Sequence, residues 1–167
     1  MAKCQVNLYS AKRFPGEWSF HSTLLENTNG CDATLANIEG YWWMWVSTAL
    51  WHLDCWDEVR LFMSEMPTGP WIEHPMSPVV SDPRCARSAG RVFFHQGNWI
   101  RPAQDCSRGY GGGIKFQRIT QLDQKSYLEE TIEEVYPNTA VGERGIHTWS
   151  ISADKIFFDS KKKNFKF

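Results

Sequence analysis

Short runs of apolar, β-branched and aromatic residues alternate along this chain with turn dipeptides, and the pattern returns at a fixed interval. Asp32 to Trp42, Ala89 to Trp99 and Ile146 to Ile156 line up with one another. Each holds two such runs around a turn pair: Glu39-Gly40, Gln96-Gly97 and Ala153-Asp154. Gly40, Gly97 and Asp154 fall about 57 residues apart. Gly and Asp tolerate left-handed φ, so each stretch predicts a β-hairpin. A second element lies between the hairpins. Leu8 to His21 matches Leu61 to His74 at an offset of about 53. Each reads as a strand, a Pro/Gly turn, then Trp18 or Trp71 opening another strand. Glu58 to Ser64 alternates polar and apolar, as a half-buried strand does. Leu128 to Val135 has Glu pairs that suit a helix, but Thr131, Ile132 and Val135 suit an outer strand, and the phase of the repeat favours the strand.

The repeating unit is therefore four strands, an inner hairpin followed by an outer pair. Four-stranded units of this length are the blades of a β-propeller. The reading is an all-β fold, one partial propeller domain over 1–167, with blade parts at about 4–26, 31–76, 84–136 and 145–160. That makes about three blade equivalents of a five-bladed-type propeller, against four to eight in closed rings. The expectation is that the chain is part of a longer protein, or that copies self-associate through open blade edges.

Composition adjusts this picture in a few places. Nine Trp residues fit β structure, and their indole faces serve either core packing or stacking on sugar rings. A net charge of −1 supplies no field to draw nucleic acid or an anionic membrane. The basic run Lys161-Lys162-Lys163, with Lys166, reads as a solvated tail. No run of about 18 apolar residues argues for membrane insertion. The segment Met1 to Gln5 lacks the apolar core of a signal peptide, so a cytoplasmic location is expected. Five Cys residues without a CxxC pair, and His52 and His95 without ligand spacing, argue for reduced thiols, no metal and no cofactor. His21 and His74 are two copies of one repeat position, which suggests a packing role.

One part of the chain is more specific. Gly69-Pro70-Trp71, His74-Pro75, Pro78 to Arg84, Ala86 to Gly90, Arg101 to Cys106 and Tyr110-Gly111 together resemble the N-terminal propeller domain of glucosamine inositolphosphorylceramide transferases and its stand-alone bacterial relatives. That domain is in turn similar to the five-bladed propellers of family 43 glycoside hydrolases. Asp32 to Leu35, followed by Gly40 to Trp43, looks like the inner-strand opening of such a blade. The resemblance implies a carbohydrate-active propeller, glycosidase-like or accessory to glycan synthesis, with a carbohydrate ligand at the mouth of its central channel. No stretch resembles the glycosyltransferase domain that follows the propeller in the plant enzymes, so transfer is not implied. Glycosidase propellers bring three carboxylates to the central funnel. Here Asp32 stands at such an inner-strand start; Arg87-Ser88-Ala89 and His147 hold the equivalent places in the next two copies.

By phase, Asp32, Arg84, Arg87 and His147 ring the mouth. They could bind a polar ligand, since Arg offers a rigid fork of donors, or form an ion-pair network of their own. Glycoside hydrolysis needs two carboxylates flanking the bond. Asp105 is the candidate partner of Asp32, with Asp82, Glu133 and Glu134 behind it. Arg101, Gln104, Arg108 and Tyr110 cluster with Gly111 to Gly113 as further substrate-binding candidates. The glycine run reads either as a long hairpin turn or as a cradle of backbone donors. Two functions stay open: a carbohydrate-active enzyme, or a non-catalytic glycan-binding or interaction module.

Overall fold

The computed structural model describes residues 4–48, 55–152 and 155–162. Strands β1 (Gln5–Arg13) and β2 (Glu17–Glu26) form a first, two-stranded sheet. The second sheet runs in the order β3 (Gly30–Ile38), β4 (Tyr41–Thr48), β5 (Glu58–Ser64) and β6 (Ile72–Glu73). The third repeats that order with β7 (Phe93–His95), β8 (Asn98–Gln104), β9 (Ile114–Leu122) and β10 (Tyr127–Val135). Strands β11 (Glu143–Gly145), β12 (Trp149–Ser152), β13 (Lys155–Phe158) and β14 (Lys161–Lys162) follow. Of these, β12 pairs with β13, and β11 with β14. All the pairings are antiparallel. The fold is a β-propeller of four-stranded blades, two of them whole among the described residues.

The hairpins form where the turn chemistry places them. Glu39 and Gly40 have φ of 52° and 87°, and Ile38 faces Tyr41 across them. Gln96 and Gly97 repeat this with φ of 47° and 80°, and His95 faces Asn98. Two successive left-handed residues give the primed turn whose twist matches that of the flanking strands. Ala153 and Asp154, the third turn pair, lie outside the described residues, but Ser152 and Lys155 pair on either side of them. The Glu-rich segment is strand β10 because β9 supplies cations opposite it. Arg118 bonds Glu130, and Lys115 bonds Glu134 at 2.7 Å. Cross-strand ion pairs outweigh the helical preference of Glu.

Three apolar clusters lie along the stack formed by the β1–β2 sheet, the second and third sheets and the β12–β13 hairpin. Leu25 meets Met44, Val46 and Phe62, with Val6, Leu24 and Trp71 packed alongside. Trp43, Trp45, Val59 and Leu61 meet Val92 and Tyr127. Ile100, Ile114 and Phe116 meet Ile146, with Trp149 against them. Strand β4 shows the period of two directly, sending Met44 and Val46 to one neighbour and Trp43 and Trp45 to the other. Stacked sheets joined through both faces are the propeller arrangement, and burying a side chain such as Leu61 contributes about 1.5–3 kcal/mol.

Polar groups cross the same seams. His74 is 1% exposed; its Nε2 lies 2.9 Å from the Asp123 carbonyl, and its Nδ1 accepts from the Met76 amide. It therefore ties the second sheet to the β9–β10 turn as a neutral imidazole with its proton on Nε2. His21, the other copy of that repeat position, is exposed, and its Nδ1 lies 3.1 Å from Ser22 Oγ.

Candidate functional site

The inner strands β3 and β12, and the segment leading into β7, begin at the same end of the stacked sheets. There they are held to one another by bonds between sheets. Ser47 Oγ accepts from the Ser88 amide at 3.0 Å, and the Ala89 carbonyl accepts from the Trp149 amide at 2.7 Å. Gly90 makes the second of these contacts feasible. Its φ is +138°, and a Cβ there would stand 2.1 Å from the Trp149 carbonyl oxygen. Only glycine combines that conformation with so close a backbone approach.

Asp32 occupies a β-bulge. The β3–β4 register slips between Cys31 and Thr34, and Asp32 takes φ of 51°. Bulges re-aim side chains, and Asp is among the residues that tolerate the left-handed region. The carboxylate is thereby turned towards Arg87, whose Nε donates to Oδ2 at 2.7 Å. The Arg87 guanidinium also stacks 4.7 Å above the Tyr110 ring. Tyr110 in turn meets the His147 ring edge to face at 5.0 Å. His147 Nδ1 pairs with Asp159.

A cleft of about 280 Å³ opens over this group. Its lining includes Asp32, Thr34, Ser88, Gln104, Tyr110 and His147. Gln104 is 2% exposed and donates to the Ser88 carbonyl at 3.0 Å. Ser88 is equally buried, yet its Oγ has no hydrogen-bond partner. The surface is thus a set of hydroxyls, an amide, an imidazole and one carboxylate. Burial pushes the Cys31 thiol up, and the Asp32 carboxylate beside it pushes further in the same direction. Both effects favour the protonated thiol. All five cysteines are free. Among the described residues no cluster of His, Cys, Asp and Glu fits a metal ion, and no helix is long and apolar enough to cross a membrane.

The structure divides the sequence-derived candidates. Asp32, Arg87, Gln104, Tyr110 and His147 come together. Arg84 instead turns to Asp82, with Nη2 to Oδ2 at 2.6 Å, and its side chain stays exposed. Arg108 lies exposed in the loop joining β8 to β9. Arg101 is fully buried: it holds Glu129 at 2.9 and 2.5 Å, and the carbonyls of Cys85 and Ala86. Its donors are thus occupied within the core. Asp105 accepts from Ser107 Oγ at 2.6 Å and from Tyr136 Oη at 3.2 Å, with Lys115 Nζ 4.0 Å away. It does not line the cleft. Burial alone would raise its pKa, but the Ser107 and Tyr136 bonds and Lys115 outweigh that and hold it below the ordinary carboxylate range. Asp82 and Glu134 are likewise taken up by Arg84 and Lys115. The glycine-rich stretch is a loop closed on itself, with the Asp105 amide donating to the Gly113 carbonyl at 2.9 Å. His52, Lys163 and Lys166 lie outside the described residues.

Two features escaped the sequence reading. Thr34 and Ser88 line the cleft, and no spacing marks a lone Ser or Thr as a ligand group. The Arg101–Glu129–Tyr127–Trp45 chain was also missed. Tyr127 Oη lies 2.5 Å from Glu129 and accepts from Trp45 Nε1 at 3.2 Å. Trp45 and Tyr127 alone are 82 residues apart, so only packing joins them.

Comparison with known proteins sets this geometry in context. Residues 1–162 match the family model described as glucosamine inositolphosphorylceramide transferase 1, N-terminal. Glucosamine inositolphosphorylceramide transferase 1 of Oryza sativa subsp. japonica is 34% identical over 130 residues, which is 76% of this chain and 17% of that protein. The Arabidopsis thaliana protein of the same name is 29% identical over 152 residues, 87% of this chain and 19% of its own length. The chain thus spans less than a fifth of these relatives. Among solved structures, "Bacteroides ovatus Xyloglucan PUL GH43B" superposes with a TM-score of 0.57 at 15% identity, over 96% of this chain and 35% of that one. That likeness supports the propeller fold.

Proposed function

We propose that this chain, which belongs to the glucosamine inositolphosphorylceramide transferase 1 N-terminal family, binds carbohydrate in the cleft formed by Asp32, Thr34, Ser88, Gln104, Tyr110 and His147. The observation that carries the reading is Ser88. A hydroxyl buried without a partner costs about 1–3 kcal/mol, and this one belongs to a residue lining a cleft whose other polar residues include Asp32, Thr34, Gln104, Tyr110 and His147. A polyol in the cleft would donate to Asp32, and a rotation of the Ser88 side chain, whose Oγ is sealed from solvent as it stands, would bring that hydroxyl to the ligand. Arg87 holds the Asp32 carboxylate in place and acts as a positioning residue.

The reading is one of binding without hydrolysis by these residues. Hydrolysis needs a second carboxylate about 5–9.5 Å from the first. Of the described residues, Asp32 is the one carboxylate that lines the cleft, while Asp105 is engaged with Ser107 and Tyr136. Within a longer relative such a module would present a glycan to chemistry carried elsewhere in the protein.

The test is titration of the purified chain with glucosamine, myo-inositol and neutral oligosaccharides, followed by calorimetry and ligand-observed NMR. Ser88→Ala is expected to weaken binding about 3- to 10-fold, the loss of one neutral hydrogen bond. Asp32→Asn should weaken it about 10- to 100-fold, because a charged acceptor is lost. Both variants should keep the far-UV circular dichroism of the parent. Binding that neither change affects would place the ligand elsewhere, and release of reducing sugar by the parent chain would replace the binding reading with a hydrolytic one.

A further inference from the structure

The ladder of hairpin β12–β13 ends where Trp149 faces Phe158. Just beyond that pair lie His147 and Thr148 on one side and Asp159 on the other. Main-chain donors there need an acceptor that the ladder no longer supplies, and the Asp159 side chain provides it. The amides of His147 and Thr148 both donate to Asp159 Oδ1, at 3.2 and 2.7 Å. That leaves Oδ2, which meets His147 Nδ1. Two amides therefore fix which way the carboxylate is turned, and the carboxylate fixes the ring. Tyr110 meets the same ring edge to face at 5.0 Å, and the Gly111 carbonyl accepts from the Ile146 amide at 2.9 Å. His147 is thus held by its own hairpin and by the loop that carries Tyr110. Its other ring nitrogen, Nε2, has no hydrogen-bond partner among the described residues. His147 lines the cleft together with Asp32.

A neutral imidazole carries one proton, and the bond made by one nitrogen decides which of the two holds it. A carboxylate accepts and does not donate, so the proton of the neutral His147 ring belongs on Nδ1. We propose that Asp159 is a positioning residue that holds this proton on Nδ1, and so makes Nε2 a second hydrogen-bond acceptor of the cleft besides the Asp32 carboxylate. The part played towards a ligand rests on the sugar-binding reading of the cleft; the tautomer does not. Two acceptors in one cleft suit a ligand that brings two hydroxyl protons, as neighbouring hydroxyls of a sugar ring do. An ether oxygen brings no proton to either.

The test begins with nitrogen NMR of the imidazole in the whole, ligand-free chain. The His147 signals are assigned by their loss in His147→Gln and read where their titration shows the ring to be neutral. The proton is expected on Nδ1. In Asp159→Asn the two amides keep the side-chain oxygen, so the new NH2 takes the place of Oδ2 and donates to Nδ1. The proton should then move to Nε2, the same reversal that Asn causes in place of the Asp of a Ser-His-Asp triad. Unmoved amide signals of Thr148 and Trp149 would show that the segment is intact in the variant. A parent ring protonated on Nε2 overturns the proposal whether or not the variant folds. A folded Asp159→Asn chain with the parent's tautomer overturns it as well. The ligand arm uses myo-inositol and glucose. A bound sugar should shift the Nε2 signal, and Asp159→Asn should bind it about 3- to 10-fold more weakly, because one hydroxyl proton loses its acceptor. A sugar that binds without moving Nε2 overturns the acceptor role and leaves the sugar reading standing. The expected tautomer in a chain that binds neither sugar upholds the part of Asp159 and counts against the sugar reading alone.

Discussion

Replacing Glu129 by Gln removes a charge and almost no volume, which isolates the electrostatics of the buried seam between the second and third sheets. In the parent, the Arg101 side chain is 0% exposed and that of Glu129 8%. The guanidinium makes two bonds to the carboxylate and two to main-chain carbonyls. Burial alone would lower the Arg101 pKa; the Glu129 charge and bonds more than reverse it, so the group stays cationic. Burial pushes the Tyr127 hydroxyl well up, and Glu129 pushes it further, so Tyr127 stays a donor to Glu129. With Gln at 129 the cation keeps its site and loses its anion. Removing one partner of a buried pair costs about 3–5 kcal/mol. For a domain of this size, 1 kcal/mol moves Tm by about 2–4 °C, so a fall of about 6–20 °C is expected. Thermal and urea unfolding followed by Trp fluorescence reads this directly, since Trp45 belongs to the network. The double change Arg101→Met with Glu129→Leu should recover most of the loss, because apolar replacements leave no unpaired charge. A Glu129→Gln loss below about 1 kcal/mol would refute the reasoning, as would a double variant no more stable than the single one.

Gly90→Ala should destabilise by about 1–3 kcal/mol or more, because it adds backbone strain and drives a Cβ into the Trp149 carbonyl; equilibrium unfolding that shows no loss would mean the inner strands do not meet there. Asp105 has a native pKa below its unfolded value, so its contribution to stability is complete above about pH 4 and disappears as pH falls through the lower native value. Urea midpoints measured from pH 5 down to pH 2 should therefore fall, and fall less steeply in Asp105→Asn; identical slopes would show that Asp105 is not among the groups responsible.

The sequence alone determined the strands and their turns. Period-two alternation and residues that accept left-handed φ act locally, so Glu39-Gly40 and Gln96-Gly97 specify hairpins wherever they stand. The interval of about 57 residues carried the fold class, since units that repeat must stack on one another. Asp32, Arg87 and His147 were also legible as neighbours, because the phase of the repeat puts them at inner-strand starts, although that phase also included Arg84, which turns to Asp82.

Only the tertiary structure decided which polar residues face a ligand and which hold the core. Arg84, Arg87 and Arg101 are the same residue type within 18 positions, and one is exposed, one lies at the cleft and one is sealed in the core. The difference comes from partners brought in from elsewhere: Asp32 on a bulge of β3 for Arg87, Glu129 on β10 for Arg101. Whether a buried charge or hydroxyl is satisfied depends on atoms tens of residues away, and that distance is what a local pattern cannot encode. Ser88 shows the same limit: its amide is held by Ser47 on β4, 41 residues away, and nothing in the local pattern marks its hydroxyl as buried without a partner.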